Sequence, residues 1–240
     1  MSTTQAPWPP EIDQYTIKFL IGFVALSLPM VELVLSHGGI ASISESYWYP
    51  DSRWSRNIFV GSLFAIAALL SSYNGTDAKQ LVLGKVAAIA AVLISIFPCN
   101  CGSDAHEIVK GVHGASAGVM FAVLAWFCWD FIQRAKTKLH DERKTAASRR
   151  IIIYQACGLG MLVAIALFIA HAITKDDRLV FWGETFGLIS FGISWLTASH
   201  KLPVITHPSE RETLFGFERT QSGTPAYPAQ RPVEPIAPAE

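Results

Sequence analysis

Hydrophobic residues along this chain gather into six long, unbroken runs, and the polar and charged positions collect between them. The runs span residues 15–36, 57–73, 80–98, 111–132, 151–172 and 180–198. A helix needs roughly 20 mostly apolar residues to cross the hydrocarbon core of a bilayer. Membrane strands are shorter and alternate apolar with polar positions, which none of these runs does. The pattern predicts an all-α polytopic bundle of six transmembrane helices. The second and third runs are short, which calls for some slack at the interface. The N-terminal end lacks a basic stretch, and no small-residue cleavage pattern follows the first run, so that run reads as a span rather than a signal peptide.

The polar positions then set the orientation. Seven Lys and Arg lie between Arg134 and Arg150, and loops rich in these residues stay in the cytoplasm. With that segment inside, both termini are inside as well. Twelve basic residues outside the runs then fall on the cytoplasmic side and five on the outer side. Tryptophans give the same orientation: Trp48, Trp54 and Trp182 fall at the outer boundary, Trp126, Trp129 and Trp195 at the inner one. The chain divides into a cytoplasmic N-terminus (1–14), a six-span domain (15–200) and a tail (201–240). The tail is rich in Pro, Thr, Gln and Glu, and is expected to be disordered because it cannot bury enough surface to offset its ordering entropy.

Composition sharpens this. Of 240 residues, 51% are hydrophobic and 16% charged, where a soluble domain carries about a quarter charged residues. The formal net charge is zero, so nothing points to nucleic acid. Four cysteines do not make a disulfide scaffold.

Sorted by depth, the ionisable residues cluster at the outer face. Glu32 lies about a turn from the outer end of the first span, His113 begins the fourth, His171 ends the fifth and Glu184 sits a turn into the sixth. His37 and Glu45 lie in the first outer loop. Charged groups at membrane depth tend to face a bundle interior or a wet cavity, and four helices here place a His or Glu at one depth. The set is expected to form one pocket: His113, Glu184 and Ser44 as its chemical core, with His171, Glu45, Glu32 and His37 lining it. Lys18, Lys85 and Asp130, in the inner half, are close enough to an end to snorkel.

Two chemistries follow from these residue types. Ser44, His113 and Glu184 compose a nucleophile, base and acid, although no nucleophile-elbow pattern accompanies them. His113, His171 and Glu184 are ligands of the kind zinc takes, with one position left open in a catalytic site. The third outer segment adds Cys99, Cys101, Asp104 and His106, but Cys-x-Cys is not the usual zinc knuckle. The two cysteines are equally open to oxidation, with each other or with another chain. Gly114 and Gly118 on the fourth run, Gly158 and Gly160 on the fifth and Gly187 and Gly192 on the sixth are the small residues that let helices pack closely in lipid. Cys128 and Cys157 read as small apolar fillers.

Several short motifs resemble a family of six-span proteins. They are Ser42-Ile43-Ser44 with Glu45 after the first span, Pro50, Arg56-Asn57-Ile58-Phe59 at the start of the second, Phe97-Pro98, His113 at the start of the fourth, and Glu184 with Phe191-Gly192 and Trp195 in the sixth. The family includes the damage-regulated autophagy modulators and the Frag-type proteins of GPI-anchor lipid remodelling, and the chain resembles a bacterial relative of them. The resemblance implies an inner-membrane protein concerned with lipid or membrane state. It implies no catalytic assignment, and the Cys99/Cys101 loop and the tail lie outside its pattern. The expected function is binding of a membrane lipid or membrane partner at the outer face, with a protein partner or a second copy of the chain left open. The alternative is a membrane-embedded hydrolase or acyl-transfer enzyme acting on lipid through the His/Glu set, with or without zinc. A transporter fits least, since transport sites lie near the midplane.

Overall fold

The computed structural model describes residues 13–49, 53–101, 109–139 and 144–211. Among them the chain is all-helical: α1 Gln14–Leu35, α2 Arg53–Ser72, α3 Ala78–Ile96, α4 Val112–Lys136, α5 Lys144–Thr174 and α6 Arg178–Ala198, with 3₁₀ turns at Ser44–Tyr47 and Pro208–Glu210. All six helices are long and apolar enough to cross a membrane. Two start on aspartate caps. Asp13 accepts from the Thr16 amide at 2.8 Å and Asp77 from the Gln80 amide at 2.9 Å, each satisfying an amide that has no partner within its helix.

α2, α4, α5 and α6 run longer than their apolar stretches. α5 has 31 residues, about 46 Å at 1.5 Å per residue, against a hydrocarbon core of about 30 Å. Its extra turns carry Lys, Ala and Arg between Lys144 and Arg150, all good helix formers.

Each helix packs on its neighbours in sequence, α6 closes back on α1, and α4 touches α6 across the middle. The result is a ring of six. Its closure depends on Gly22 of α1 and Gly192 of α6. A Cβ on Gly22 would lie 2.7 Å from the Leu196 amide nitrogen and 2.8 Å from the Gly192 carbonyl, which is backbone and cannot yield. Gly160 and Gly187 make comparable room for Ser190 and Phe121. Gly114 and Gly118, expected to be packing glycines, have nothing within 4 Å of where a Cβ would stand. They hold space open instead.

Aromatic residues fill the middle of the ring. Trp195, expected at the inner boundary, is fully buried. Tyr73, Phe127, Phe131 and Phe191 surround it with ring centroids 5.1–6.0 Å from its own. The outside is apolar: Phe23, Val34, Ile89, Ile152, Leu159 and Ile173 are all exposed. Such a surface suits lipid and not water.

The two ends of the described chain lie together, as an even number of spans requires. Lys201 Nζ is 4.0 Å from Asp13 Oδ2, and His200 stacks on Tyr15. Residues 201–211, counted with the tail from sequence, run across this end of the bundle, and Glu210 there binds Arg150 and Lys138. Residues 212–240 lie outside the described residues. Lys18 and Asp130 do not snorkel: both are buried, Lys18 over the rings of Tyr15, Tyr73 and Phe131 and Asp130 against Gln80.

Candidate functional site

At the other end of the ring, the segment joining α1 to α2 folds back into the bundle. His37 and Gly38 turn the chain in the left-handed region, with φ of 51° and 75°, and the Gly38 amide closes α1 on the Leu33 carbonyl at 3.1 Å. Beyond this turn Ile40, Ser42, Ile43, Ser44 and Ser46 are all buried. The Ser42 hydroxyl accepts from the Glu45 amide at 3.0 Å and caps the 3₁₀ turn. The Trp48 indole N–H donates to the Cys99 carbonyl at 2.9 Å, and the Tyr49 hydroxyl to the Ser36 carbonyl at 3.0 Å.

Glu184 of α6 fastens this segment. Its Oε2 accepts from the amides of Ile43 at 2.5 Å and Ser44 at 3.3 Å, and its Oε1 meets the Ser44 hydroxyl. The same hydroxyl lies 3.1 Å from Nε2 of His113, whose Nδ1 is 2.9 Å from the Phe97 carbonyl. Phe97 precedes a proline, which holds it extended (φ −102°, ψ 96°) and ends α3. Its carbonyl is thereby released to the imidazole.

The hydrogens in this chain can be counted. A carbonyl only accepts, so Nδ1 of His113 carries a proton. Ser44 has one hydroxyl hydrogen for two contacts. It donates either to Glu184, and then Nε2 must also be protonated, or to Nε2, and then Glu184 must be a carboxylic acid. Both arrangements hold one proton more than a carboxylate with a neutral imidazole. They differ only by a shift of hydrogens along Glu184, Ser44 and His113. With every contact made, the cluster holds one extra proton.

The cluster stands at the rim of a cavity of about 780 Å³. Polar groups line one part: Ser44, Glu45, His113, His171, Asp177 and Glu184. Leu28, Phe59, Leu63, Ile94, Phe121 and Phe191 line the rest. Gly114 and Gly118 border it as well, and their missing side chains leave volume.

Against known proteins, the chain matches no family model, no curated sequence and no solved structure. The functional reading therefore rests on this geometry alone.

The structure brings five of the seven expected site residues to this cavity. Besides the bonded three, His171 is half-buried, with Nδ1 3.1 Å from the Asp176 carbonyl and 3.8 Å from Asp177 Oδ1. Glu45 accepts from the Ala41 amide at 2.5 Å. Glu32 and His37 do not line the cavity. Glu32 is fully buried away from the cavity, where it takes the Ser55 hydroxyl of α2, and His37 is exposed at the turn that ends α1. For zinc on His113, His171 and Glu184 the geometry offers no ready ligand set. Among the described residues no three His, Cys, Asp or Glu side chains group to hold an ion, and both ring nitrogens of His113 and both oxygens of Glu184 already meet protein atoms. Cys99 and Cys101 are paired with each other; Asp104 and His106 lie outside the described residues.

Sequence reasoning missed the Phe97 carbonyl, the Ile43 and Ser44 amides and Asp177. Phe97-Pro98 was the available signal for the first, because a residue before proline leaves the helix. Nothing in the sequence announces the amides.

Chemically, an imidazole aimed at a serine hydroxyl with its tautomer fixed from behind is the arrangement of a general base. An acyl-transfer site also needs donors for the developing oxyanion. The amides of Ile43 and Ser44 are engaged by Glu184, and that of Glu45 by Ser42. The arrangement is built to hold a segment and a proton, and to offer polar contacts at the head of an apolar cavity.

Proposed function

We propose that this integral membrane protein binds a membrane lipid, taking the polar part against the Ser44–His113 rim and an acyl portion along the apolar wall. The observation that carries this reading is the two-part lining of a cavity of about 780 Å³, within the range of about 300–1,000 Å³ usual for ligand sites. The cavity end faces the extracytoplasmic side in this reading, for two reasons. Disulfides persist in oxidising compartments, and the Cys99–Cys101 pair is at this end. The opposite end carries the larger share of Lys and Arg. The membrane proposed is a bacterial inner membrane, in keeping with the family that the chain resembles.

Native mass spectrometry of the chain purified in mild detergent tests this. The expected result is a retained lipid that is lost in a Gly114→Leu/Gly118→Leu double variant, whose side chains start where a Cβ meets no protein atom within 4 Å, while the melting temperature is unchanged. No lipid on the wild-type chain, or equal retention by the double variant, overturns the reading.

The alternative, a hydrolase or acyl-transfer enzyme acting on lipid, is favoured by one contact, His113 Nε2 to Ser44 Oγ at 3.1 Å. The engagement of the Ile43 and Ser44 amides by Glu184 counts against it. A serine-directed fluorophosphonate separates the two readings. Labelling of Ser44 that disappears in His113→Asn supports the enzyme, and no labelling supports binding alone.

A further inference from the structure

The opposite end of the ring holds a second, smaller cavity of about 350 Å³. Four cationic side chains line it: Lys18 of α1, Arg134 of α4, Lys138 in the turn just past α4, and Arg150 of α5. Tyr15, Phe131 and Tyr154 complete much of the wall. Membrane proteins rarely bury such charges, and those that do mark sites for ligands of opposite charge or ion pathways.

The carboxylates facing these cations do not satisfy them all. Asp77 and Asp130 both bind Arg134. Glu210, from the segment that crosses this end, serves Lys138 and Arg150 together. Asp13 lies toward Lys201, outside the lining. His200 adds no charge: its Nε2 is 2.9 Å from a guanidinium nitrogen of Arg150, which can only donate, so Nε2 is a bare acceptor. Among the described residues no carboxylate lies within ion-pair distance of Lys18, which is 9% exposed. Aromatic faces of Tyr15, Tyr73 and Phe131 lie 5.3, 5.6 and 5.7 Å from its Nζ. Rings ease the charge but leave its N–H groups to donate. Arg150, with a side chain 2% exposed, has its Nε buried without a hydrogen-bond partner. Two buried cationic donors on one small cavity thus lack an acceptor.

We propose that this cavity is a phosphate site, in which one phosphate group takes Lys18, Arg150 and Lys138 as donors and Glu210 stands at the rim as a resident anion that the phosphate displaces. A phosphate supplies several charged acceptor oxygens at once, which matches converging ammonium and guanidinium donors better than a lone carboxylate does. The volume is at the small end of ligand sites, which suits a headgroup or a free anion and excludes a bulky ligand. Phosphate monoesters occur both free in solution and at the head of acidic lipids, and both would enter from this end of the bundle. The site is independent of the lipid cavity on the other side of the aromatic layer.

The test uses the full chain at low salt. One arm titrates inorganic phosphate into the protein in a neutral detergent. The other compares vesicles of phosphatidylcholine with vesicles that also contain phosphatidic acid. Thermal unfolding is the readout, since a ligand of the folded state raises the melting temperature. Saturable stabilisation by inorganic phosphate, weakened at least about tenfold in Lys18→Gln, assigns a free-anion site. Stabilisation by phosphatidic acid alone, with the same loss in Lys18→Gln, assigns a headgroup site. Glu210→Gln removes the competing anion and tightens binding severalfold in either arm, which keeps the test decisive even where Lys18→Gln fails to fold. Absence of stabilisation in both arms, or stabilisation that Lys18→Gln and Glu210→Gln leave unchanged, overturns the proposal.

Discussion

Ser44 has neighbours on two helices that differ in what they need from it. Its hydroxyl links Glu184 of α6 to His113 of α4, so Ser44→Ala removes a hydrogen bond from each of two buried side chains at one stroke. The expected loss is about 1–3 kcal/mol, read as a lower melting temperature in detergent with the helical content unchanged. Glu184 gives a sharper contrast. In Glu184→Gln the amide oxygen still accepts from Ile43 and Ser44, and the loss is about 1 kcal/mol. Glu184→Ala strands both backbone donors and costs about 3 kcal/mol. Equal losses in the two variants would mean that the segment from Ile40 to Ser46 is not held by this carboxyl. Sequence alone located these residues at one depth, and depth follows from counting along an apolar run. It carries no azimuth. Glu32 is also near this end, yet its side of α1 faces Ser55 of α2 rather than the cavity. His37 falls two residues past the helix and is turned outward by the left-handed chain reversal.

The helices themselves were legible, because a continuous apolar run of about 20 residues has few other solutions. Their partners were not. Small residues mark close packing in general, but which glycine meets a backbone and which borders a void depends on the faces the ring presents. Gly22→Ala is therefore expected to destabilise by about 1–3 kcal/mol, through overpacking against Leu196 and the Gly192 carbonyl. Gly118→Ala changes stability by less than about 0.5 kcal/mol. A pair of melting curves decides this, and similar shifts in both would remove the α1–α6 contact as the closure of the ring. The segment 201–211 belongs at this scale too, since its docking depends on pH. Burial and the Arg150 charge push the His200 imidazole down to about 3. Burial alone would raise the Glu210 carboxyl, but the Lys138 hydrogen bond and Arg150 outweigh it and hold that group at about 2. Both folded values lie below the ordinary ones, so the undocked chain takes up protons first. The His200 contribution is complete above about pH 6.5 and drains away toward pH 3, and that of Glu210 goes between about pH 4.5 and pH 2. Hydrogen exchange of residues 201–211 is expected to quicken as pH falls from about 7 to about 4, after correction for the intrinsic rate. Faster exchange toward neutral pH would contradict the sign.

Across the whole molecule, the two ends differ in kind: one holds a lipid-sized cavity under a folded segment, the other a small cationic one. The orientation proposed for them is open to cysteine labelling of intact cells. Cys99 and Cys101 are paired and Cys128 and Cys157 are buried, so the native background is low. Asp176→Cys is expected to react with an impermeant maleimide and Thr145→Cys to be shielded, both positions being exposed. The reverse pattern would exchange the two compartments and place the phosphate site outside. Between the ends lies the layer around Trp195. Phe191, which lines the larger cavity, and Phe131, which lines the smaller, both pack against that indole. When water fills both cavities, this buried layer separates them among the described residues. A transmembrane voltage, worth about 2.3 kcal/mol per elementary charge per 100 mV, then falls mainly over this layer of aromatic rings rather than over the full bilayer. The layer works as the dielectric of a small capacitor, with Lys18 as a fixed charge near one plate and the net-neutral Ser44 cluster near the other.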